Sequence, residues 1–256
     1  MKYNDHIFDI GAFDGLDGLI LALKNSKMMV HIFEANPNLI KIIKKNKKKI
    51  EQFNKIKINN CKINHFAVSN KNKYFSFNIA KNPTVSSLYR FSKNIDKTWP
   101  GYREAHCTFV KKIKVRGITL EKYCLDRKIK KINYLHIDTQ GNDLNVLKGL
   151  NKKIKIVEKG VLEAAINKKK ALYENIDTIN EIKAFLKKKN FFISKVESVN
   201  ETINNEKNVF FYNAKTRYEN QVNSNYNLRR LKRIVSDKAL FKDKILSKIE
   251  NIINRI

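Results

Sequence analysis

Two apolar stretches, each ending in a carboxylate and separated by a glycine turn, constrain this chain more than any other feature. Ile7 Phe8 Asp9 Ile10 runs into Gly11 Ala12 Phe13 Asp14 Gly15, and about 20 residues later His31 Ile32 Phe33 ends at Glu34. Short apolar runs bounded by turns read as strands of a parallel sheet, which needs a crossover between neighbours. Leu16 to Asn25 supplies a helical one. This is the layout of a nucleoside-binding α/β unit: Gly11 and Gly15 let backbone approach a ligand, and Glu34 sits where it accepts hydrogen bonds from two ribose hydroxyls. The same turn also suits an ordinary α/β protein.

A dinucleotide is not the expected ligand. Counting from Gly11, its fingerprint requires glycines where Phe13 and Leu16 stand. Asp9 and Asp14 repel phosphate but suit a ligand carrying an ammonium and a sulfonium, so S-adenosylmethionine is the expected cofactor. Its contacts are expected from Asp9, Gly11, Ala12, Phe13, Asp14 and Gly15 at the first strand exit, and from Glu34 and Ala35 at the second. Ala67 and Val68, small enough to admit a purine, serve the third exit and Asp138 the fourth.

Strands and helices alternate, which argues for a parallel sheet covered on both faces. Pro37 opens a second helix running toward Phe53, and Ile63 to Val68 reads as the third strand. Thr119 to Asp126 is a helix, Asn133 to Asp138 the fourth strand and Val157 to Ala165 the fifth, carrying Glu163. Asn180 to Lys189 is a further helix, and Phe191 to Val196 with Asn208 to Tyr212 closes the sheet as an antiparallel hairpin. The stretch 74–115 breaks the alternation with aromatics, hydroxyls and cations. It reads as an inserted acceptor segment over the carboxyl edge of the sheet, with Tyr89, Trp99, Tyr102, Arg103 and His106 as substrate candidates, or as a surface excursion with its own satellite core. The expected organisation is one catalytic domain over 1–213 and a basic, amphipathic helical extension over 214–256, whose apolar stripe can pack on its own chain, pair with another subunit or lie on an anionic surface.

Composition enters through charge. Lys and Arg number 53 against 24 Asp and Glu, a net +29, which raises nucleic acid as a partner. Much of the lysine accompanies Asn and Ile, residues with A/T-rich codons, and runs such as Lys168 Lys169 Lys170 lack interleaved aromatics, as solvated faces do. Cys61, Cys107 and Cys124 are isolated and read as reduced thiols rather than a disulfide framework or a zinc site. With no apolar run of membrane-spanning length and a strand beginning almost at Met1, a cytoplasmic protein is expected.

With these residues in place, the chain resembles the FkbM family of S-adenosylmethionine-dependent methyltransferases. Asp9 Ile10 Gly11 Ala12 Phe13 Asp14 Gly15, Phe33 Glu34 Ala35 Asn36 Pro37, Ala67 Val68 Ser69, Thr119 Leu120, and Ile137 Asp138 Thr139 Gln140 Gly141 Asn142 Asp143 Leu144 carry the resemblance in order. It implies a Rossmann-like methyltransferase fold, a seven-stranded, mostly parallel sheet with helices on both faces, and methylation of hydroxyls, often of a glycan or natural product. Two positions depart from the family's pattern: Phe13 stands where Asn is common, and Gln140 where Glu is common. The amide at 140 removes a charge and any general-base capacity there.

Methyl transfer is an in-line displacement, so the enzyme must align acceptor oxygen, methyl carbon and sulfur, and a hydroxyl acceptor wants a base. Asp138 is the leading candidate, with His136 and Asp143 behind it; His136 also suits a buried structural role. Asp138, Asp143 and Glu163 could gather around a divalent cation such as magnesium. The expected function is O-methyl transfer to a sugar, glycan or other small molecule. The alternatives are a nucleic-acid-binding protein or RNA methyltransferase on the same fold, and a member that binds cofactor without turnover.

Overall fold

The computed structural model of the protein describes residues 3–199 and 205–215. In chain order the described elements are β1 (His6–Ile10), α1 (Leu16–Lys24), β2 (Met29–Glu34), α2 (Pro37–Asn54), β3 (Cys61–His65), β4 (Ala67–Val68), β5 (Tyr74–Ala80), α3 (Ile95–Thr98), β6 (Phe109–Ile118), α4 (Leu120–Asp126), β7 (Tyr134–Ile137), α5 (Asp143–Lys148), β8 (Lys159–Ala165), α6 (Ile179–Lys188), β9 (Phe191–Ser198) and β10 (Glu206–Asn213). Among the described residues these strands make a seven-stranded sheet in the order β3-β2-β1-β7-β8-β10-β9 and a three-stranded one in the order β4-β6-β5. From β3 to β8 the large sheet is parallel, and β10 and β9 complete it antiparallel, as the sequence pattern requires.

The alternation of side chains along the strands fixes the two layers. Ile7, Val30 and Ile32 face Leu19, Ala22, Ile40 and Ile43 of α1 and α2. Phe8, Ile10 and Phe33 face the opposite way, into a larger core with Leu120, Leu144, Leu147, Ile182 and Leu186 of α4, α5 and α6. Helix starts follow their capping residues. The Asn36 side chain accepts from Asn38 N before Pro37 opens α2. Thr119 caps α4, and Thr178 with Glu181 forms a reciprocal box at α6.

The expected third strand is two strands. Its first half, β3, pairs with β2 as far as His65, and Phe66 N gives the last bond to the Glu34 carbonyl at 3.2 Å. Ala67 and Val68 then leave to pair in parallel with Gly117 and Ile118. Departure lets Ala67 bury against Phe77 and Val115 of the small sheet.

Within 74–115, β5 and β6 form an antiparallel hairpin, and the loop between them builds the satellite cluster that was one reading of its aromatics. Phe91 stacks on Phe109 at 4.0 Å and lies 5.5 Å from Tyr173, while Val85, Tyr89, Trp99 and Tyr102 pack around Ile95, Leu172, Tyr173 and Ile176. No described helix is long and apolar enough to cross a membrane. All but the first two residues of the amphipathic stretch 214–256, and the oligomer contact expected of it, lie outside the described residues.

Candidate functional site

The strand order reverses beside β1, so the crevice that parallel sheets use for ligands opens at the carboxyl ends of β1 and β7. The two exits touch: Asp138 N donates to the Ile10 carbonyl at 2.9 Å. Gly11 adopts φ 79°, and a Cβ there would lie 1.8 Å from the Asp138 carbonyl oxygen. At Gly15, φ 73°, a Cβ would fall 2.6 Å from an Ile43 methyl. Both glycines are thus required by neighbouring protein atoms as well.

Glu34 joins the first two exits. Its Oε2 accepts from Phe13 N at 2.9 Å and its Oε1 from Asn36 N at 2.8 Å. Burial pushes its pKa up to about 7, against the pull of those backbone donors and with the Asp138 charge adding to the rise. Phe13 makes its bond from a left-handed backbone, φ 51°, so the turn depends on residue 13 and not on the glycines alone. Asp14 Oδ1 accepts from Leu16 N at 3.0 Å and so serves the start of α1. Ala67 and Val68 are buried in apolar clusters, and Asn142 Nδ2 donates to the Val68 carbonyl at 2.8 Å, tying the third exit to the fourth.

Asp9 lies deeper than its expected ligand role suggests. It is 1% exposed, its Oδ1 is 2.8 Å from His136 Nδ1, and its Oδ2 is buried without a hydrogen-bond partner. Gly18 makes this close fit possible, since a Cβ there would lie 2.7 Å from Oδ2. His136 is therefore held by a carboxylate on the α1 side of the sheet.

Asp138 sits among other acids. Gln140 Nε2 donates to its Oδ1 at 2.7 Å. Its charge adds to the burial that raises Glu34, Asp143, Glu163 and Glu206 above the usual carboxylate range, Asp143 to about 8 and Glu206 to about 7. Asp143 accepts from Thr139 Oγ1 at 2.9 Å and, weakly, from Glu163 N at 3.4 Å. Asp143, Glu163 and Glu206, with Gly141 and Asp177, line a small cavity of about 10 Å³. Among the described residues no three His, Cys, Asp or Glu side chains are grouped to hold a metal ion, so the expected set of Asp138, Asp143 and Glu163 is not assembled as one.

The acceptor candidates divide. Tyr89 reaches the site, its hydroxyl accepting from Asn145 of α5 at 2.8 Å. Trp99 belongs to the satellite cluster and its indole N–H donates to the Lys170 carbonyl at 3.2 Å. Arg103 is exposed, bonded to the Tyr102 hydroxyl at 2.7 Å, and His106 turns in the loop at φ 55°. Sequence reasoning missed Tyr173, Ser87 and Glu206. Ser87 Oγ donates to the Gln140 carbonyl at 2.6 Å, and Tyr173 O–H lies 2.9 Å from Gln140 Oε1. The signal for Glu206 was a lone acid leading an apolar strand, and only the register, Asn208 opposite Glu163, brings it to the cluster.

Comparison with known proteins places this fold. Among solved structures, a methyltransferase FkbM from Methylobacillus flagellatus KT superposes with a TM-score of 0.51 at 11% identity, over 82% of this chain and 44% of that one. TrmK of M. capricolum, solved with S-adenosyl-homocysteine, gives 0.43 at 12% identity over 83% and 64%, and a SAM dependent methyltransferase from Aquifex aeolicus gives 0.41 at 10% over 82% of each chain. This chain thus spans less than two thirds of the first two, and at such identities the likeness is one of fold. Comparison with curated proteins gave no match. The family model of the methyltransferase FkbM domain matches residues 9–193, from the Asp9 turn into β9, and the chain belongs to that family.

Proposed function

We propose that this protein transfers a methyl group from S-adenosylmethionine to a hydroxyl of a sugar or other small molecule, at the carboxyl ends of β1, β2 and β7. The observation that carries the reading is the concentration of carboxyls at that edge: burial first, and the charge of Asp138 with it, raises the pKa values of Glu34, Asp143, Glu163 and Glu206 in a chain whose net charge is +29. A cationic ligand relieves that repulsion, and the residues present fit a ligand with a sulfonium, an ammonium and ribose hydroxyls.

Bound there, S-adenosylmethionine supplies an electrophilic methyl group. Glu34 already accepts from the backbone N–H groups of Phe13 and Asn36, and its remaining acceptor capacity is what meets ligand hydroxyls. Asp138, fixed at Oδ1 by Gln140, takes the proton from the acceptor hydroxyl as the new bond forms. Tyr89 and the 81–108 loop wall the acceptor side and exclude water. Isothermal titration with S-adenosylmethionine and S-adenosylhomocysteine tests the cofactor; absence of binding by both rejects the proposal. Release of S-adenosylhomocysteine in the presence of candidate sugars tests the transfer.

One observation favours nucleic acid as acceptor instead. The outer face of the small sheet presents Lys112, Lys114 and Arg116 with Tyr74, which is 60% exposed and has Lys114 Nζ 4.9 Å from its ring centre. Exposed aromatics among cations suit single-stranded RNA. An RNA affinity that falls with salt and is lost in Lys112→Glu/Lys114→Glu supports this reading, and no binding at physiological salt dismisses it.

A further inference from the structure

We propose that Gln140 is a positioning residue whose side-chain amide, strung between Asp138 and Tyr173, holds the Asp138 carboxylate in one orientation and couples it to the seating of the 81–108 loop. The inference deepens the proposed function, since it rests on Asp138 as the group that meets the acceptor.

The bonds form one path. Gln140 Nε2 donates to Asp138 Oδ1 at 2.7 Å, and Gln140 Oε1 accepts from Tyr173 O–H at 2.9 Å. The Tyr173 hydroxyl also lies 2.8 Å from the Val85 carbonyl, so its single hydrogen is shared between that carbonyl and Gln140 Oε1, and the Gln140 carbonyl accepts from Ser87 Oγ at 2.6 Å. Val85 and Ser87 flank one turn of the loop, so one residue touches both the sheet edge and the loop through side chain and main chain together. Ser87 and Tyr173 are almost wholly buried, which leaves water little access to replace these bonds. Gln140 holds its place in a left-handed conformation, φ 55°, which an unconstrained glutamine avoids.

The amide is suited to this task in a way a carboxylate is not. An amide presents a donor and an acceptor on opposite sides, matching an ionised carboxylate on one and a phenol on the other. The Tyr173 phenol is kept protonated by its burial first and by the charges of Glu206, Asp138 and Glu163 next, so it remains a donor. Glutamate at 140 would face Asp138 with an oxygen, and only its protonated form could reproduce the bond. Glu34, Asp143, Glu163 and Glu206 also face Asp138 electrostatically from β2, α5, β8 and β10, so a further negative charge at 140 adds to the repulsion already there. Gln140 is thus a working part of this site, and its difference from the family's glutamate is no mark of lost function.

The test uses the full chain without cofactor. The carboxyl of Asp138, assigned with Asp138→Asn, is followed by carbon-13 resonance through a pH titration in the native protein, Gln140→Glu and Tyr173→Phe. In Gln140→Glu two carboxyls share a proton, and the apparent midpoint at Asp138 rises by about one pH unit or more. In Tyr173→Phe, which keeps the ring and its packing, amide exchange of residues 85–91 accelerates roughly fivefold and the Asp138 resonance broadens or shifts. Unchanged Asp138 resonances and midpoints in both variants overturn the proposal, as does faster exchange at 85–91 with no change at Asp138. Should Gln140→Glu fail to fold, Tyr173→Phe alone decides. Because no cofactor is present, a native protein that does not bind S-adenosylmethionine rejects the proposed function while leaving this coupling measurable.

Discussion

Phe13 N donates to Glu34 Oε2 at 2.9 Å from a backbone in the left-handed region, so a bulky aromatic occupies a conformation that suits Asn or Gly. The residue is 37% exposed, so packing offsets only part of the strain. Phe13→Asn should therefore stabilise the protein by about 1 kcal/mol, or roughly 2–4 °C in melting temperature for a domain of this size. Differential scanning calorimetry decides it: an unchanged or lowered melting temperature means the ring packs more tightly than its exposure indicates.

Glu34 is the partner whose charge state matters for binding. With its pKa pushed up to about 7 by burial, it is protonated in acid and ionised in mild alkali. Only the ionised form accepts from ligand hydroxyls at both oxygens, so S-adenosylmethionine affinity should rise as pH increases through about 7. Glu34→Ala should weaken binding by about 1–3 kcal/mol and remove that dependence. Titration calorimetry on either side of neutrality checks both; a dependence that persists in the variant assigns it elsewhere.

Asp143 makes a stability prediction of definite sign. Its pKa in the folded chain, about 8, lies above that of an unfolded aspartate because of burial first and the Asp138 charge second. The folded state then holds more protons across that window. The stability is fully present below the unfolded value near 4 and is lost as pH rises through the folded one. Asp143→Asn should flatten this fall and stabilise the cofactor-free protein at about pH 8.5 by an amount on the order of 2 kcal/mol. Denaturant unfolding at acid and alkaline pH reads the difference between the two proteins.

His31 runs the other way. Asn64 donates its amide to the Ile32 and Lys62 carbonyls, so its Oδ1 takes the single Tyr123 hydroxyl hydrogen at 3.0 Å. Tyr123 must then accept from His31 Nδ1 at 2.8 Å, and His31 Nε2 is left to accept from His6 Nδ1 at 2.9 Å. A second proton, on His31 Nε2, would face the Nδ1 hydrogen of His6 and force that ring into its other tautomer. Burial first, and the nearby His6, Arg127 and Lys62 next, hold its pKa down to about 3. This stability is present above the unfolded value near 6.5 and falls as pH drops toward 3. His31→Leu should be less stable at neutral pH yet lose less stability on acidification to about pH 4.5; equal losses in the two proteins would refute the assignment.

Much of this architecture was readable in the chain. Asn36 before Pro37, Thr119, and Thr178 three residues before Glu181 announce helix starts because their side chains satisfy backbone donors locally. The runs Ile7–Ile10 and Asn133–Asp138 were legible because a parallel sheet buries both faces of its strands. What escaped is what depends on contacts distant in sequence. The two-residue β4 is defined only by its partner β6, about 50 residues on. The Tyr123 to His31 link, and the meeting of Tyr173 with Gln140, follow from packing that no local pattern encodes. Glycine spacing located the first turn but could not show that Phe13 and Gln140 share its left-handed geometry.

The missing Cβ of Gly11 has an evolutionary side. Because the Asp138 carbonyl fills the space that a methyl group would need, the exits of β1 and β7 form a shelf that no substitution at position 11 can enter without parting two strands. Under the proposed function, variation in the acceptor then falls to the loop between β5 and β6, where Arg103 stands exposed.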